Sequence, residues 1–123
     1  MSTYAAEVVV EAPIDLVFAC FIDAARYPQW QALALRAFDQ TGSLATPGSS
    51  VRIDHGPGMK RTMTVLEADP PGRLVYDQRG MGLDDTTTVT FEADGARTRV
   101  RMSAELRIAA GWRGACSSDW PWA

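Results

Sequence analysis

The segment APIDLVFACFIDAARYPQW, Ala12 to Trp30, decides the fold class because it is a broken helical stretch set between strand-like segments. Apolar residues recur in it at helical spacing: Ile14, Val17, Phe18, Phe21 and Ile22. Pro13 suits the first turn of a helix, where its missing N–H costs nothing. The Asp23 carboxylate can accept hydrogen bonds from the amides that follow it and so cap a second helix, AARY, which Pro28 ends. The segment therefore predicts two short helices at an angle.

Strand patterns precede and follow this segment. In TYAAEVVVEA, apolar and polar residues alternate as in a half-buried first strand. Six further strand-like runs follow Trp30: ALALRAFDQT, VRIDH, RTMTVLEA, RLVYDQR, TTTVTFEA and RTRVRMSAELRI. Asp69-Pro70-Pro71-Gly72 and Asp94-Gly95 have hairpin-turn composition. The order predicts an α+β fold with a seven-stranded antiparallel sheet and two short helices after strand 1.

Bulk properties bound the function classes. The chain has 123 residues, 46% hydrophobic and 22% charged, which is typical of one globular domain spanning 1–123. Its net charge of -3 gives no general attraction to nucleic acid or to anionic membrane surfaces. The start of the sequence lacks the basic region and apolar core of a secretory signal, and no apolar run is long enough to cross a membrane. We expect a cytoplasmic protein without membrane insertion.

Three motifs together carry a family resemblance that covers Val8 to Val100: VVVEAPIDLVFACFIDAARYPQW, VLEADPPGRLVY and TTTVTFEADGARTRV. The chain resembles the START-like or Bet v 1-like (SRPBCC) superfamily, specifically its bacterial polyketide cyclase/dehydrase and lipid transport group. The resemblance implies a helix-grip fold, in which a curved antiparallel sheet wraps around a long C-terminal helix. It also implies an apolar cavity between sheet and helix that takes a hydrophobic small molecule.

The sequence departs from this family after Ile108, where residues 109–123 read AAGWRGACSSDWPWA. Glycines, serines and a proline make this tail a poor helix former, so the C-terminal helix is predicted to be shortened or missing. Two explanations stay open: an altered terminus, or tryptophans that pack as an irregular lid or against a second subunit. In either case an under-covered apolar face favours self-association, and we expect a homodimer through the concave face and the tail.

Strand alternation names the residues that would line the cavity. The predicted ligand-binding set is Leu33, Leu35, Val51, Ile53, His55, Met63, Val65, Tyr76, Val89, Phe91, Met102 and Ala104. His55, the only histidine, is either an inward acid/base or donor to a ligand carbonyl, or a solvated residue at the rim. Tyr76 is either a donor to a ligand oxygen or a core tyrosine, and the same ambiguity applies to Tyr4 and Gln78.

Other polar residues have simpler interpretations. Arg36 and Arg79 are predicted to lie on the outer face, as are the arginines of the last strand. Asp84 and Asp85 are adjacent in a strand and so point to opposite faces, which argues against a paired general acid and base. Cys20 and Cys116 have no neighbours at metal-ligand spacing, and we expect two thiols, no metal and no cofactor.

Three functions follow in order of preference. The first is binding of a lipid- or polyketide-like molecule in the cavity. The alternative is a cofactor-independent enzyme of the aromatase/cyclase kind, in which His55 and Tyr76 assist aldol cyclisation or dehydration. The third is a protein-interaction module that binds a partner through its concave face.

Overall fold

A computed structural model describes residues 2–30 and 34–108 of the chain. The strands are β1 Ser2–Val10, β2 Arg36–Phe38, β3 Ser50–Asp54, β4 Lys60–Asp69, β5 Arg73–Gly80, β6 Leu83–Asp94 and β7 Arg97–Ile108. Between β1 and β2 lie α1 Ile14–Phe21, a 3₁₀ helix Ala24–Arg26 and α2 Tyr27–Trp30. The strands form one curved antiparallel sheet in the order β1-β7-β6-β5-β4-β3-β2. This confirms the predicted seven-stranded sheet with short helices after its first strand.

The first helix begins at Ile14, so Pro13 precedes it instead of lying in its first turn as predicted. Pro13 is the extended residue before α1, and its carbonyl oxygen accepts hydrogen bonds from the N–H groups of Leu16 and Val17, each at 3.1 Å. Phe18 and Phe21 pack edge-on against Phe91 of β6, with ring centroids 5.2 Å and 5.5 Å away. Burying one such apolar side chain contributes about 1.5–3 kcal/mol. The apolar stripe therefore fixes α1 on the sheet.

Two details of the second helical turn differ from expectation. Asp23 precedes the 3₁₀ helix but its side chain makes no cap; Oδ2 accepts a hydrogen bond from Arg26 Nε at 3.0 Å instead. Pro28 does not end the helix, because it lies in the first turn of α2, where an N–H would have no helical partner. Tyr27, beside it, is buried and its hydroxyl donates to Met63 Sδ at 3.6 Å. This contact ties the helices to β4.

The turns between the long strands are short, as predicted, with one shift. The N–H of Gly72 donates to the carbonyl oxygen of Asp69 at 2.9 Å and closes the turn between β4 and β5. Asp94 pairs with Arg97, so the two turn residues between β6 and β7 are Gly95 and Ala96. Gly95 has φ 63°, a conformation that favours glycine. The predicted turn, Asp94-Gly95, therefore lies one residue too early.

Alternation along the strands separates a buried inner face from an outer face that meets solvent. In β6 the inner residues are Leu83, Asp85, Thr87, Val89 and Phe91, all buried. In β4 the alternation shifts between Val65, which pairs with Tyr76, and Glu67, which pairs with Val75. At this bulge two successive residues, Leu66 and Glu67, are both exposed to solvent. Above it, Ala68 returns to the inner face opposite Leu74.

Strand β2 is shorter than the sequence predicts. The run ALALRAFDQT predicts a full strand, whereas β2 contains only Arg36–Phe38. Residues 31–33 and the tail 109–123 lie outside the described residues. The predicted shortening or loss of the C-terminal helix concerns that tail and therefore stays a prediction. Within the described ranges, no helix has the length and apolar content needed to cross a membrane.

Candidate functional site

Most of the predicted cavity residues share the inner face of the sheet. The buried ones are Val51, Ile53, Met63, Val65, Tyr76, Val89, Phe91 and Ala104. Met102 is partly buried against them, and His55 is half-buried beyond the end of β3. Leu35 stands apart because its side chain is 62% exposed. Leu33 lies outside the described residues.

The inner face also holds a charged pair that the sequence analysis missed. The side chains of Arg61 and Asp85 are 4% and 0% exposed, and Arg61 Nη2 lies 3.1 Å from Asp85 Oδ2. The same nitrogen is 3.1 Å from the main-chain oxygens of Gln78 and Leu83. A buried ion pair loses the hydration of both ions, so its stability depends on such additional hydrogen bonds. Here the guanidinium is surrounded by acceptors from β5 and β6.

Gln78 is the third member of this cluster. Its Oε1 accepts a hydrogen bond from Arg61 Nη1 at 3.1 Å. Its Nε2 has no hydrogen-bond partner among the described residues, although Gln78 as a whole is only 2% exposed. A buried donor without an acceptor costs about 1–3 kcal/mol. The cluster thus contains a polar group that the described residues leave unsatisfied.

Two hydroxyl groups extend the cluster across the face. Thr87 Oγ1 donates to Asp85 Oδ1 at 3.4 Å and is also hydrogen-bonded to Tyr76. Burial, the largest cause, raises the pKa of Tyr76 far above that of an ordinary phenol, and it does the same for the pKa of Tyr27. Both phenols are therefore neutral at physiological pH. Their O–H groups add to the polar groups of the buried inner face.

The ionisation of Asp85 reflects opposing influences. Burial raises the pKa of its carboxyl, while the charge and hydrogen bonds of Arg61 and the bond from Thr87 lower it. Burial outweighs the others, so the pKa of Asp85 lies above the usual aspartate value. Arg61 thus only partly offsets the cost of placing a carboxylate here.

Gly80 makes room for this arrangement. It has φ 140°, and a Cβ there would lie 2.5 Å from the carbonyl oxygen of Lys60 and 3.0 Å from Arg61 Cα. Real Cβ atoms do not approach backbone atoms so closely, so only glycine allows β4 and β5 to meet at this point. The Arg61 side chain occupies the space beside it, since the same Cβ would lie 3.3 Å from Arg61 Cγ.

The two residues expected to act together as catalysts are not adjacent. The N–H of His55 donates to the carbonyl oxygen of Met59 at 2.8 Å, whereas Tyr76 pairs with Val65. At about 3.3 Å per residue, Met59 and Val65 are roughly 20 Å apart along the strand direction. Tyr76 belongs to the polar cluster, and His55 lies toward the other end of β4.

Alternation contained the signal for the missed residues. Arg61 is two positions before Met63, and Asp85 is two positions before Thr87, so each shares a face with its inward neighbour. Opposite charges on neighbouring inner positions predict a buried pair. Asp84, the sequence neighbour of Asp85, points to the other face, as alternation predicts. Arg36 and Arg79 are exposed, as expected.

Two other kinds of site can be addressed within the described part of the chain. No group of three or more His, Cys, Asp and Glu side chains there could hold a metal ion. An open depression of about 480 Å³ lies on the outer face of β1, β6 and β7, beside Glu7 and Arg101. It is on the opposite side of the sheet from the predicted cavity.

The curved antiparallel sheet, the short helices after β1 and the buried inner face define a member of the Bet v 1-like, or SRPBCC, superfamily. The sequence model of one family in it, described as Activator of Hsp90 ATPase homolog 1-like protein, matches residues 11–121. The chain belongs to that family. The superfamily predicted from the three motifs is confirmed.

Solved structures show the same fold at low sequence identity. Ara h 8.0201 superposes with a TM-score of 0.71 at 12% identity, covering 91% of this chain and 80% of that one. DynU16, a protein in the dynemicin biosynthetic locus, superposes with a TM-score of 0.67 at 23% identity, and the match covers 94% of this chain. CalU16 from Micromonospora echinospora superposes with a TM-score of 0.65 at 17% identity, and the match covers 88% of this chain. The chain spans only 40% of DynU16 and 62% of CalU16. No curated protein matches it by sequence.

Proposed function

We propose that the protein binds a hydrophobic small molecule, lipid- or polyketide-like, between the inner face of the sheet and the C-terminal segment. The observation that carries this proposal is the inner face, where buried apolar side chains of β3 to β7 surround a polar cluster. An apolar surface with few convergent polar groups is typical of small-molecule sites. The superfamily fold supports the same class of ligand.

Similarity to DynU16 is compatible with an apolar natural product as the ligand, since that protein lies in a biosynthetic locus. The cytoplasmic location and the homodimer are further proposals, which rest on the sequence patterns described above. Neither is needed for the binding function.

The binding proposal is tested by filling the inner face. Ala104 is buried on the inner face of β7, and Ser103 beside it is exposed on the outer face. We expect Ala104→Phe to weaken binding of the apolar dye Nile red at least tenfold, because the new ring occupies the ligand's space. Fluorescence titration measures the affinity, and native mass spectrometry reports any molecule retained during purification.

Ser103→Phe is the matched control, since it adds the same ring on the opposite face. It should bind Nile red as the parent does. Equal affinities in the parent and Ala104→Phe would contradict the proposal. A loss confined to Ser103→Phe would move the site to the outer depression.

An enzyme is the second candidate, and the buried ionisable groups favour it. Perturbed pKa values gather at catalytic sites, and Asp85 and Tyr76 both have raised pKa values on the inner face. In this case the protein is a cofactor-independent cyclase or dehydrase, with Tyr76 and His55 as candidate catalysts. Tyr76→Phe and His55→Ala would then reduce turnover of a poly-β-ketone substrate while leaving its affinity unchanged. A change in affinity alone would support binding.

A further inference from the structure

Gln78 contributes to the polar cluster a buried donor group for which no described residue supplies an acceptor. Gln78 Nε2 carries two N–H bonds, and no described residue accepts either of them. The residue projects from the inner face between Met63 of β4 and Asp85 of β6, where only 2% of its surface is exposed. A fold leaves such a group open at a cost, which a bound molecule can remove.

The orientation of the Gln78 amide is fixed. Arg61 Nη1 donates to Gln78 Oε1 at 3.1 Å, and a rotated amide would place N–H against N–H. Arg61 is itself held by Asp85 and by the main-chain oxygens of Gln78 and Leu83. The amide oxygen is thus committed to the protein, and the amide nitrogen is presented as a rigid donor.

The charges around this donor already cancel. Arg61 and Asp85 form a buried pair, with Nη2 and Oδ2 at 3.1 Å, and both oxygens of Asp85 accept hydrogen bonds within the cluster. A ligand carboxylate would therefore bring an unpaired negative charge into a desolvated site. A hydrocarbon would leave the amide unsatisfied. A hydroxyl group would bring a further donor that needs its own acceptor.

From this arrangement we infer that Gln78 anchors an apolar ligand through an uncharged carbonyl oxygen, as in a ketone, ester, lactone or quinone. The inference rests on the proposed binding function and assigns the ligand a chemical class. The apolar body contacts the buried side chains of the inner face, and the carbonyl oxygen accepts from Gln78 Nε2. Selectivity comes from this donor on Gln78.

A matched set of probes tests the inference: naphthalene, 2-acetylnaphthalene and 2-naphthoate, each displacing Nile red from the full chain. They share one ring system and differ in having no oxygen, a neutral carbonyl and a carboxylate. We expect the ketone to bind about five- to tenfold more tightly than naphthalene, as one hydrogen bond to a buried donor provides. The carboxylate should bind more weakly than the ketone.

Gln78→Met removes the donor at nearly constant volume. The preference for the ketone over naphthalene should fall to about one, while naphthalene itself binds as well or better. Gln78→Glu is the second variant, for use if Gln78→Met does not fold. It retains an oxygen for Arg61 and loses the amide N–H groups, so it should also lose the preference for the ketone. Thr98→Val is the control, because it removes a buried hydroxyl that donates to the Ala12 carbonyl, away from the cluster. It should keep the preference.

The outcomes separate the two proposals. If all three probes bind and naphthalene matches the ketone, the carbonyl anchor is wrong and the binding function stands. Tighter binding of the carboxylate would also overturn the anchor, because it would show a net positive site. If neither Nile red nor any probe binds, both proposals fail. A preference that persists in Gln78→Met and Gln78→Glu assigns the donor to another residue and overturns the inference.

Discussion

Two arginine–carboxylate pairs on opposite faces of the sheet have similar geometry and different surroundings. Arg61 and Asp85 lie 3.1 Å apart on the inner face, with side chains 4% and 0% exposed. Arg101 and Glu7 lie 2.9 Å apart on the outer face, with side chains 54% and 48% exposed. Water can replace either partner on the outer face and neither partner on the inner face. Burial, and not the N···O distance, therefore determines what each pair means for stability.

The energetic consequence follows from hydration. An exposed pair contributes about 0–1 kcal/mol, because both ions remain solvated when they separate. Removing one member of a buried pair costs about 3–5 kcal/mol, since the remaining charge has neither partner nor water. Three substitutions test this contrast.

The largest effect is expected for Arg61→Met. It leaves the Asp85 carboxylate buried without its counter-ion, and we expect the free energy of unfolding to fall by about 3–5 kcal/mol. Urea denaturation followed by circular dichroism measures this loss. In the double variant Arg61→Met/Asp85→Leu no charge remains, and much of the stability should return. If Arg61→Met were as stable as the parent, the claim that the buried pair matters more to stability than the exposed pair would be wrong.

The same variant has a predicted pH dependence. Burial already raises the folded-state pKa of Asp85, and loss of Arg61 removes two influences that lower it. A folded pKa above the unfolded pKa means that the native state binds the proton more tightly, so stability rises as pH falls through the folded pKa. The deficit of Arg61→Met relative to the parent should therefore be smaller at pH 5 than at pH 7. An equal deficit at both pH values would contradict this explanation.

An intermediate effect is expected for Gly80→Ala, which tests the space that admits Arg61. The new Cβ meets the Lys60 carbonyl, and φ 140° is unfavourable for alanine. We expect a loss of about 3 kcal/mol in thermal or urea unfolding. Gly95→Ala is the comparison, because Gly95 also has positive φ but a Cβ there meets nothing within 4 Å. It should lose only about 1 kcal/mol, and equal losses would show that the close contact is unimportant.

The smallest effect is expected for Arg101→Ala. Glu7 stays hydrated when its partner is removed, so the free energy of unfolding should change by less than about 0.5 kcal/mol. Added salt should reduce even this difference, because screening weakens exposed pairs. Urea unfolding at low and high ionic strength provides the measurement. If Arg101→Ala lowered the free energy of unfolding as much as Arg61→Met does, burial would not explain the difference between the two ion pairs.

Much of the architecture could be predicted from local pattern. Strand alternation and turn residues specify where β3 to β7 lie, because one face of each strand must be apolar and the other is free to be polar. The helices after β1 follow from the spacing of apolar residues in Ala12 to Trp30. The bulge at Val65 and the brevity of β2 could not be predicted in this way. Both depend on how neighbouring strands pair, which no single strand encodes.

The candidate site could be predicted in its apolar part and not in its polar part. Val51, Met63 and Val89 are apolar residues at inward positions, so local pattern is sufficient for them. Arg61 and Asp85 are charged residues at inward positions, where the pattern predicts apolar ones. Their burial is explained only by their contact with each other across strands β4, β5 and β6. Sequence distance hides such a relation, since 24 positions separate the two residues. The open donor of Gln78 then depends on the rotation of one amide, which alternation does not address.

The register of the first strand has a consequence for synthesis. β1 is hydrogen-bonded to β7, and the contact between Glu7 and Arg101 joins residues 94 positions apart. Closing so long a loop has an entropic cost that strand pairing offsets only once both strands exist. On the ribosome, β1 is made before β7 and remains unpaired on that edge until β7 emerges. During that interval the charged side chains of Glu7 and Glu11 disfavour pairing of its valines and alanines with a wrong strand.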